Sequence, residues 1–433
     1  MIINRRMRKS LWVALILGSC GCSSPPSPPA TKSDFPQPFA TPSAVNFPKV
    51  TGWPPDKYPT APSGFSVTLF AKDFQSPRWL YVLENGDVLV AESNTLVKPT
   101  DAPALKEAKA ASGAAGLSAD RVTLLRDTDK DGIFETRRVV VKAIAQPFGM
   151  VYLNGHLYVA ATDAVWRYAF DLAAGTANSA GKKIVDLPAG GYNNHWTRNL
   201  LASRDGKKLY ISVGSATNVG EEGMEIERRR ANILEVNLDG SEEIVFAAGI
   251  RNPTAMAWAP GTDTMWVVSN ERDGLGDNLV PDYLTSVRRG AFYGWPYSYS
   301  GQHQDPRLEG ARQDLVKTAI APDLPLGSHT ASLGFAFYRG GAFAEKFRDG
   351  AFITQHGSWN KSTFAGYKVV FAPFAGGKPT GAVEDFLTGF VKDEAKKEVY
   401  GRPVGIAVDI AGNLLISDDA AGTIWKVAPF KVR

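Results

Sequence analysis

The sequence predicts an all-β protein, a six-bladed β-propeller, and three observations support this fold class. Strand-like stretches of alternating apolar residues recur along most of the 433 residues. Glycine (42) and proline (28) are abundant, as many short strands joined by turns require. Helical periodicity is scarce, and its one clear case is ALKEAKAAS at 104–112, within an insertion at 95–120.

A β-hairpin pattern, two predicted strands joined by a tight turn, occurs six times in the sequence. The turns contain Asn-Gly, Asp-Gly, Ala-Gly or an equivalent pair, which hairpins favour. Four strands per copy would fill most of the chain, and GFSVTLFA (64–71) beside GTIWKVAPF (422–430) would join the first blade to the last. The copies are residues 76–93, 146–162, 198–215, 251–270, 331–357 and 402–419.

The N-terminus predicts export. A basic stretch, NRRMRKS, precedes a short apolar stretch, LWVALILG, as in a signal peptide. LGSC at 17–20 resembles a lipobox with Cys20 as the lipidated residue, and a simple cleaved signal is the alternative. We therefore expect a signal peptide at 1–20, a Pro/Ser-rich tether at 21–60 and the propeller at 61–433, on the periplasmic side of a membrane and anchored through Cys20.

Composition excludes several classes of function. The net charge is +4 and part of it lies at the extreme N-terminus, so nothing indicates a nucleic-acid partner. Cys20 and Cys22 are the only cysteines, which leaves the exported domain without a disulfide or a cysteine metal site. The sequence contains no His-Glu-x-x-His, Gly-x-Ser-x-Gly or Gly-rich phosphate pattern, which argues against metalloproteases, serine hydrolases and nucleotide-dependent enzymes.

Polar residues precede the first strand of the repeats. Because the starts of the inner strands gather at one end of a propeller channel, we expect these residues to face one pocket. From the sequence alone, the histidine among them is either a catalytic base or a packed neutral ring. The residues are Arg78, Gln146, His195, Arg251, Asn252, His356 and Arg402.

Several segments resemble the pyrroloquinoline quinone (PQQ) dependent glucose/sorbosone dehydrogenases, most closely the sorbosone-dehydrogenase branch. They are GIRNPTAMAW, NERDGLGDNLVPDYLTSVRRGAFYGWPYSY, QHGSWNKSTFAGYKVV, DFLTGF and YGRPVGIAVD with GNLLISDDAAGTIWKV, and the similarity spans residues 60 to 430. The resemblance implies a six-bladed propeller that binds PQQ and Ca²⁺ and oxidises a sugar-like alcohol or aldehyde. A respiratory quinone or cytochrome would then accept the electrons.

The resemblance also implies roles for individual residues. His195 matches the family's catalytic base, which takes a hydroxyl proton as hydride leaves the same carbon. Arg251 and Asn252 match a pair at the quinone carbonyls, with Arg251 also part of the catalytic group. Arg402 and Lys361 match residues that bind the cofactor and its carboxylates.

At the metal-binding positions, this sequence matches the residues of the family less closely. The family holds calcium through successive carbonyls of a Gly-Pro pair, and Arg272 and Asp273 occupy those positions here, where the Asp273 carboxylate could add a further ligand. Asp277 matches an acidic ligand of a second calcium site. Ser215 replaces an aspartate that orients the histidine in the soluble glucose enzymes, and we expect Glu221, Glu222 or Glu225 to compensate.

Two further segments leave alternatives open. DTDKDGIFE (127–135) is either a hairpin turn or a peripheral calcium site, and Arg138 at the twelfth position excludes an EF-hand. The long connection at 298–332 is predicted to cover the pocket, with His303 exposed and His329 near the pocket. Two other functions remain open: a calcium-dependent propeller lactonase and a non-catalytic propeller that binds a glycan or a protein.

Overall fold

The structure, a computed structural model, describes residues 35–178 and 180–430. The predicted signal peptide, Cys20 and the first part of the tether lie outside the described residues. Within the described residues no helix is long and apolar enough to span a membrane. Residues Gln37–Arg433 form one compact unit, and the account below concerns that unit.

Strands dominate this unit, and the all-β prediction is confirmed. The strands are β1 Lys49–Val50, β2 Phe65–Ala71, β3 Pro77–Val82, β4 Val88–Glu92, β5 Arg121–Arg126, β6 Thr136–Lys142, β7 Met150–Leu153, β8 His156–Ala160, β9 Ala164–Asp171, β10 Thr176–Ala177, β11 Lys182–Asp186, β12 Arg198–Ala202, β13 Lys208–Val213, β14 Asn232–Asn237, β15 Ile244–Ala248 and β16 Asn252–Trp258. They continue with β17 Met265–Asn270, β18 Pro281–Val287, β19 Ala291–Phe292, β20 Ser298–Tyr299, β21 His303–Gln304, β22 Leu324–Ser328, β23 Ser332–Phe337, β24 Gly350–Gln355, β25 Lys368–Ala375, β26 Lys378–Pro379, β27 Glu384–Leu387, β28 Val391–Asp393, β29 Glu398–Val399, β30 Pro403–Val408, β31 Leu414–Asp418 and β32 Thr423–Pro429.

Helices are short. Helix α1, Pro103–Ala111, lies where the sequence predicts it, and α2 is a single turn, Gln313–Val316. Three 3₁₀ helices occupy Met224–Glu227, Pro306–Leu308 and Glu345–Phe347. Pro103 begins α1 without a side-chain cap, as its missing N–H allows.

Six sheets of four or five strands make up the body, and each contains one of the six sequence repeats. The second strand of a repeat is buried on both faces, as β4 and β31 show, whereas an outer strand such as β6 is mostly exposed. Gly86, with φ +93°, supplies the left-handed turn between β3 and β4. The sheets are β3-β4-β5-β6; β7-β8-β9 with β10 and β11 on β9; β12-β13-β14-β15-β19; β16-β17-β18-β22; β23-β24-β25 with β26 and β27 on β25; and β30-β31-β32-β2.

The six sheets form a closed ring around their first strands. β7 contacts β12, and the chain of contacts continues through β16, β23 and β30 to β3. Trp79 in β3 then packs on Phe148, directly before β7, with ring centroids 4.9 Å apart. As predicted, β2 joins the last sheet, because Phe65 pairs with Pro429 in an antiparallel register. This ring of sheets is a β-propeller with no open seam between its two ends.

The residues from 37 to 60 correct the predicted domain boundary. The sequence assigns them to a tether, but in the structure they pack on the propeller. β1 pairs in parallel with β29, and the Thr60 amide donates to Thr388 at 2.8 Å. Trp53 stacks on Tyr400 at 5.0 Å and contacts Trp425 edge-on at 5.1 Å. Aromatic burial therefore outweighs the Pro/Ser-rich composition of this segment.

Candidate functional site

One cavity of about 440 Å³ lies at the end of the ring where the first strands begin. Its lining includes residues that directly precede or begin the first strands of five of the six sheets. Six of the polar residues predicted for this end line it: Arg78, His195, Arg251, Asn252, His356 and Arg402. Gln146 does not line it, because its amide donates to the Asn94 carbonyl at 2.7 Å and is buried there. The convergence predicted for residues 195, 251 and 402 is therefore present.

The backbone orients the ring of His195. Its Nδ1 lies 2.8 Å from the Ser215 carbonyl oxygen and 3.0 Å from Ser215 Oγ. Because a carbonyl oxygen only accepts and Ser215 Oγ donates its proton to the Thr217 carbonyl at 2.6 Å, Nδ1 itself carries a proton, which it donates to the Ser215 carbonyl at the shorter distance. This bond leaves Nε2 as the basic nitrogen. Burial and the nearby Arg251 charge hold the pKa of His195 well below its usual range, so the ring is neutral.

Close packing also constrains His195. A Cβ at Gly214 would lie 2.6 Å from the His195 Cβ and 2.4 Å from Asn252 Oδ1. Any side chain at this position would therefore displace both residues. The loop after β13 is held by Glu227, whose carboxylate accepts the amide protons of Ala216 and Thr217 at 2.8 Å each. The sequence analysis did not identify Glu227, and Glu221 instead accepts from the Asn218 and Val219 amides.

Arg251 is buried beside the histidine. Its guanidinium donates to the carbonyls of Asn218 at 3.1 Å and Glu271 at 2.7 Å, and lies 3.6 Å from Asp273. Burial lowers the pKa of Arg251, and the nearby Asp273 and Glu271 charges oppose this shift and favour the cation. Asn252, the next residue, donates weakly to Asn270 at 3.3 Å, and its Oδ1 is buried with no partner within the described part of the chain.

A second charged cluster, on the first, fifth and sixth sheets, faces the same cavity. His356 Nε2 donates to Asp419 at 2.8 Å, and Arg78 pairs with the same carboxylate. Burial lowers the pKa of His356 to about 4, while the surrounding cations hold the pKa of Asp419 below its usual range despite burial. Arg402 donates to the carbonyls of His356, Gly357 and Ser112, which uses three of its five N–H groups.

The structure places three predicted site residues outside the cavity lining. Lys361 donates to the Asp277 carbonyl and, at 3.0 Å, to Asn278 Oδ1. The Lys361 ammonium thus binds the loop that carries Asp277, the predicted ligand of a second calcium, and the Asp277 carboxylate itself accepts from Ser362. The Arg272 side chain is fully buried between Glu271 and Asp305, at 2.9 and 3.2 Å. Local hydrogen bonds of Lys361 and Asp277 and the ion pairs of Arg272 therefore hold these three side chains away from the cavity.

Asp273 does line the cavity, but through its side chain. Its carbonyl, the predicted ligand atom, accepts from Asn218 at 2.9 Å and Arg307 at 2.7 Å. Its carboxylate accepts from Asn360 at 2.6 Å. Although burial acts to raise the pKa of Asp273, His329 and Arg251 lower it below the usual range. The cavity therefore carries an ionised acid among its cations, with Glu271 and Asp282 as further acids.

The long connection at 298–332 contributes one histidine. His329 lines the cavity, as predicted, and its Nε2 donates to the Gly276 carbonyl at 3.0 Å. His303 does not line the cavity and stacks on Tyr299 at 5.7 Å. The acidic loop at 127–135 brings Asp127, Asp129, Asp131 and Glu135 within 4.8 Å of one another at their ligand atoms, and none of the four lines the cavity.

The sequence analysis missed two parts of the wall. Thr95, Lys98, Leu105, Lys109 and Ala114 reach the cavity from the 95–120 insertion. Phe47 reaches it from the N-terminal segment and stacks on Trp359, with centroids 5.3 Å apart and planes at 16°. No local pattern marks these residues, since only long-range packing brings them to the cavity.

Comparison with known proteins identifies the family, since residues 59–429 match the TrAA12-like family. The chain belongs to the TrAA12-like family. An uncharacterised protein of Borreliella burgdorferi is 30% identical over 302 residues, which cover 66% of this chain and 77% of that relative. A pyrroloquinoline quinone-dependent pyranose dehydrogenase of Coprinopsis cinerea is 24% identical over 361 residues, covering 69% of this chain but 48% of that protein. The chain thus spans about half the length of the pyranose dehydrogenase.

Solved structures similar to this TrAA12-like protein share its fold. The holo PQQ domain of the Coprinopsis cinerea pyranose dehydrogenase superposes with a TM-score of 0.70 at 20% identity, covering 89% of this chain and 100% of that one. The calcium structure of the Trichoderma reesei family AA12 enzyme gives 0.69 at 19% identity, with 89% and 98% coverage. The PQQ-bound aldose sugar dehydrogenase of Streptomyces coelicolor gives 0.56 at 15% identity, with 85% and 99% coverage.

Proposed function

We propose that this protein is a PQQ- and calcium-dependent oxidoreductase that oxidises a sugar-like alcohol or aldehyde. One observation carries the proposal: a neutral histidine, a buried Arg-Asn pair and a buried arginine line one cavity of about 440 Å³ in a chain of this family. The related PQQ-dependent pyranose and aldose sugar dehydrogenases support the reaction class. The resemblance of the sequence to the sorbosone-dehydrogenase branch places sorbosone beside the aldoses among the candidate substrates of this proposal.

The cavity lining suits a flat polycarboxylate bound together with a cation, because Arg78 offers an unpaired donor whereas the unpaired oxygens of Asn252 and Glu271 are acceptors. Arg78 Nε, Asn252 Oδ1 and Glu271 Oε1 are buried polar atoms without a hydrogen-bond partner among the described residues, and all three belong to cavity-lining side chains. Buried polar atoms are seldom left unpaired, so a ligand that completes them is expected. Arg402 keeps two N–H groups for an acidic ligand, and Arg251 supplies a second fixed cation.

Calcium fits this wall through acidic side chains rather than through the predicted carbonyl of Asp273. The Asp273 carboxylate and Glu271 Oε1 are oxygen donors of the kind calcium prefers, and cofactor and water oxygens would complete six to eight ligands. These acids were not among the polar residues that the sequence analysis placed before the first strands. Protein side chains alone do not complete a metal site in this wall. Among the described residues, the one group of three or more His, Cys, Asp or Glu side chains close enough to hold a metal ion is Asp127, Asp129, Asp131 and Glu135.

The chain's own residues supply proton transfer and orientation. When bound, PQQ supplies a two-electron acceptor. His195 Nε2 takes the substrate hydroxyl proton as the C–H bond on the same carbon breaks with its electron pair and a C=O bond forms. The Ser215 carbonyl keeps Nδ1 protonated and stabilises the imidazolium that results. Arg251 stabilises negative charge that develops at the quinone side of the cavity.

The cellular context belongs to the same proposal. Export, lipid attachment at Cys20 and a position on the periplasmic side of the membrane would place the enzyme next to respiratory electron carriers. A quinone or cytochrome would then reoxidise the cofactor. The basic stretch, the apolar stretch and the LGSC segment of the sequence support this location. Metabolic labelling with a fatty acid, in wild type and in Cys20→Ala, tests it, and equal labelling would refute lipidation at Cys20.

Reconstitution tests the proposed reaction. Apo-protein is mixed with PQQ with or without Ca²⁺, and dye reduction is followed across a panel of aldoses and sorbosone. We expect reduction that requires sugar, PQQ and Ca²⁺ together. Lactone hydrolysis without PQQ would instead support a lactonase, and sugar or protein binding without turnover in either assay would support a binding propeller.

A further inference from the structure

The insertion at 95–120 forms a fixed roof over one side of the cavity. Thr95 Oγ1 accepts from the Trp196 indole at 2.7 Å, and the Thr95 carbonyl accepts from the Gly116 amide at 2.8 Å. At the other end of the helix, the Ser112 carbonyl accepts from Arg402, and Ser112 is fully buried. The insertion is therefore attached to the third and sixth sheets, and its cavity-facing side chains have defined positions.

Lys98 on this roof is a cation without an acidic partner. Its ammonium donates to Asn194 Oδ1 and lies 4.6 Å above the Tyr192 ring. The nearby Asp101 is paired with Lys109 at 2.7 Å, and no carboxylate of the described chain lies within ion-pair distance of Lys98. Burial and the Lys109 charge lower the pKa of Lys98 although the more distant Asp101 acts to raise it.

The position of Lys98 associates it with the substrate rather than with the cofactor acids. Asn194, its hydrogen-bond partner, directly precedes His195, and the Asn194 amide is fixed to the Ala216 carbonyl at 2.9 Å. The reacting carbon must approach His195, so the remainder of the substrate lies close to this wall. Arg402 and Arg78, which suit the cofactor carboxylates, belong instead to the sixth and first sheets.

We propose that Lys98 selects sugar substrates that carry a carboxylate, such as hexuronates, by pairing with that group while C1 is held at His195. The inference rests on the proposed function. The oxidation is the step already described: the O1 proton would go to His195, PQQ when bound would supply the acceptor for the C1–H electron pair, and the uronate would leave as a lactone, which water hydrolyses to the sugar diacid. Lys98 gains no bond to the reacting atoms and acts as a specificity-determining residue.

Matched sugar pairs test this assignment. Glucuronate and glucose, and galacturonate and galactose, differ only at C6, where a carboxylate replaces a hydroxymethyl group. For the PQQ- and Ca²⁺-loaded protein we expect kcat/KM to favour the uronates by about ten-fold or more. Lys98→Met should remove this preference through KM, Lys98→Arg should retain most of it, and Lys142→Met, at an exposed site, should leave it unchanged.

Two binding measurements separate the possible failures. The Kd of PQQ, measured by titration, should be equal in wild type and Lys98→Met; a weaker Kd in the variant would mean that Lys98 binds the cofactor and would overturn the inference. Equal use of acidic and neutral sugars by wild type would also overturn it. If wild type oxidises no sugar, the proposed function fails separately. Uronate binding, followed by fluorescence of Trp196 and Trp359 in both proteins, then still decides the role of Lys98.

Discussion

At the scale of single residues, a backbone carbonyl orients the ring of His195, a role that an aspartate side chain has in the soluble glucose enzymes that the sequence resembles. The Ser215 carbonyl, 2.8 Å from His195 Nδ1, sets the tautomer and the ring orientation. An aspartate at position 215 is therefore not needed to present Nε2 to the cavity. The neutral state of His195 follows from burial and from the positive charge of Arg251.

Replacing the base should separate binding from turnover. We expect His195→Gln to bind PQQ like wild type but to lower kcat by about 10²–10⁴-fold, the usual contribution of a positioned general base. His156→Gln, at the first residue of β8 and outside the cavity lining, is the control and should retain full activity. Because the pKa of His195 lies well below 6.5, the activity of wild type should be flat above about pH 6.5 and should fall at lower pH.

The loop that carries the Ser215 carbonyl depends on Glu227. Removal of this buried acid leaves two amides unpaired, so Glu227→Ala should destabilise the protein by about 1–3 kcal/mol and lower kcat as the histidine loses its support. Ser215→Ala keeps the carbonyl and should retain most of the activity. Urea unfolding and steady-state kinetics measure both effects. A larger loss of kcat in Ser215→Ala than in Glu227→Ala would show that the hydroxyl orients the ring.

At the scale of elements, the six hairpins were predictable, whereas the two segments that complete the cavity were not. Alternating apolar residues and glycine turns define strands locally, so periodicity revealed β3–β4 and β30–β31 directly. The 95–120 insertion and the segment near Phe47 reach the cavity through contacts with distant sheets. The prediction that Lys361 binds the cofactor failed to place it for a related reason. The residue type alone does not reveal which neighbouring oxygen the ammonium group of a loop lysine will bind.

The N-terminal segment should stabilise the propeller. Trp53 contacts Tyr400, Phe390 and Trp425, and its indole donates to Asp418 at 2.8 Å. We expect Trp53→Ala to lower the free energy of unfolding by about 2–4 kcal/mol. Tyr58→Ala, at a position 47% exposed, should cost less than about 1 kcal/mol. Equal small effects of both substitutions in urea denaturation would mean that the segment is a tether after all.

At the scale of the whole molecule, ring closure brings the last sheet's acids under the cavity. Burial raises the pKa of Asp418 to about 6. A carboxyl whose folded-state pKa is raised is penalised when ionised, and the penalty is relieved as pH falls through that value towards the unfolded pKa of about 4. Asp418 should therefore add about 1 kcal/mol to the free energy of unfolding when the pH falls from about 7.5 to 5.5.

Urea denaturation of the apo-protein at these two pH values measures the effect. In Asp418→Asn the gain on acidification should be smaller than in wild type by that amount, because the substituted amide does not titrate. An identical pH dependence in the two proteins would show that Asp418 is already protonated, or fully ionised without penalty, at neutral pH.

The convergence of distant residues in one cavity is the claim on which the function depends, and PQQ binding tests it most directly. Isothermal titration of the apo-protein in the presence of Ca²⁺ should give one PQQ per chain, with a Kd weakened about ten-fold or more in Arg402→Gln and less in Arg402→Lys. Arg348→Gln, at an exposed site, is the control, and circular dichroism verifies folding. An absence of binding by wild type, or an equal Kd in folded Arg402→Gln, would contradict the account.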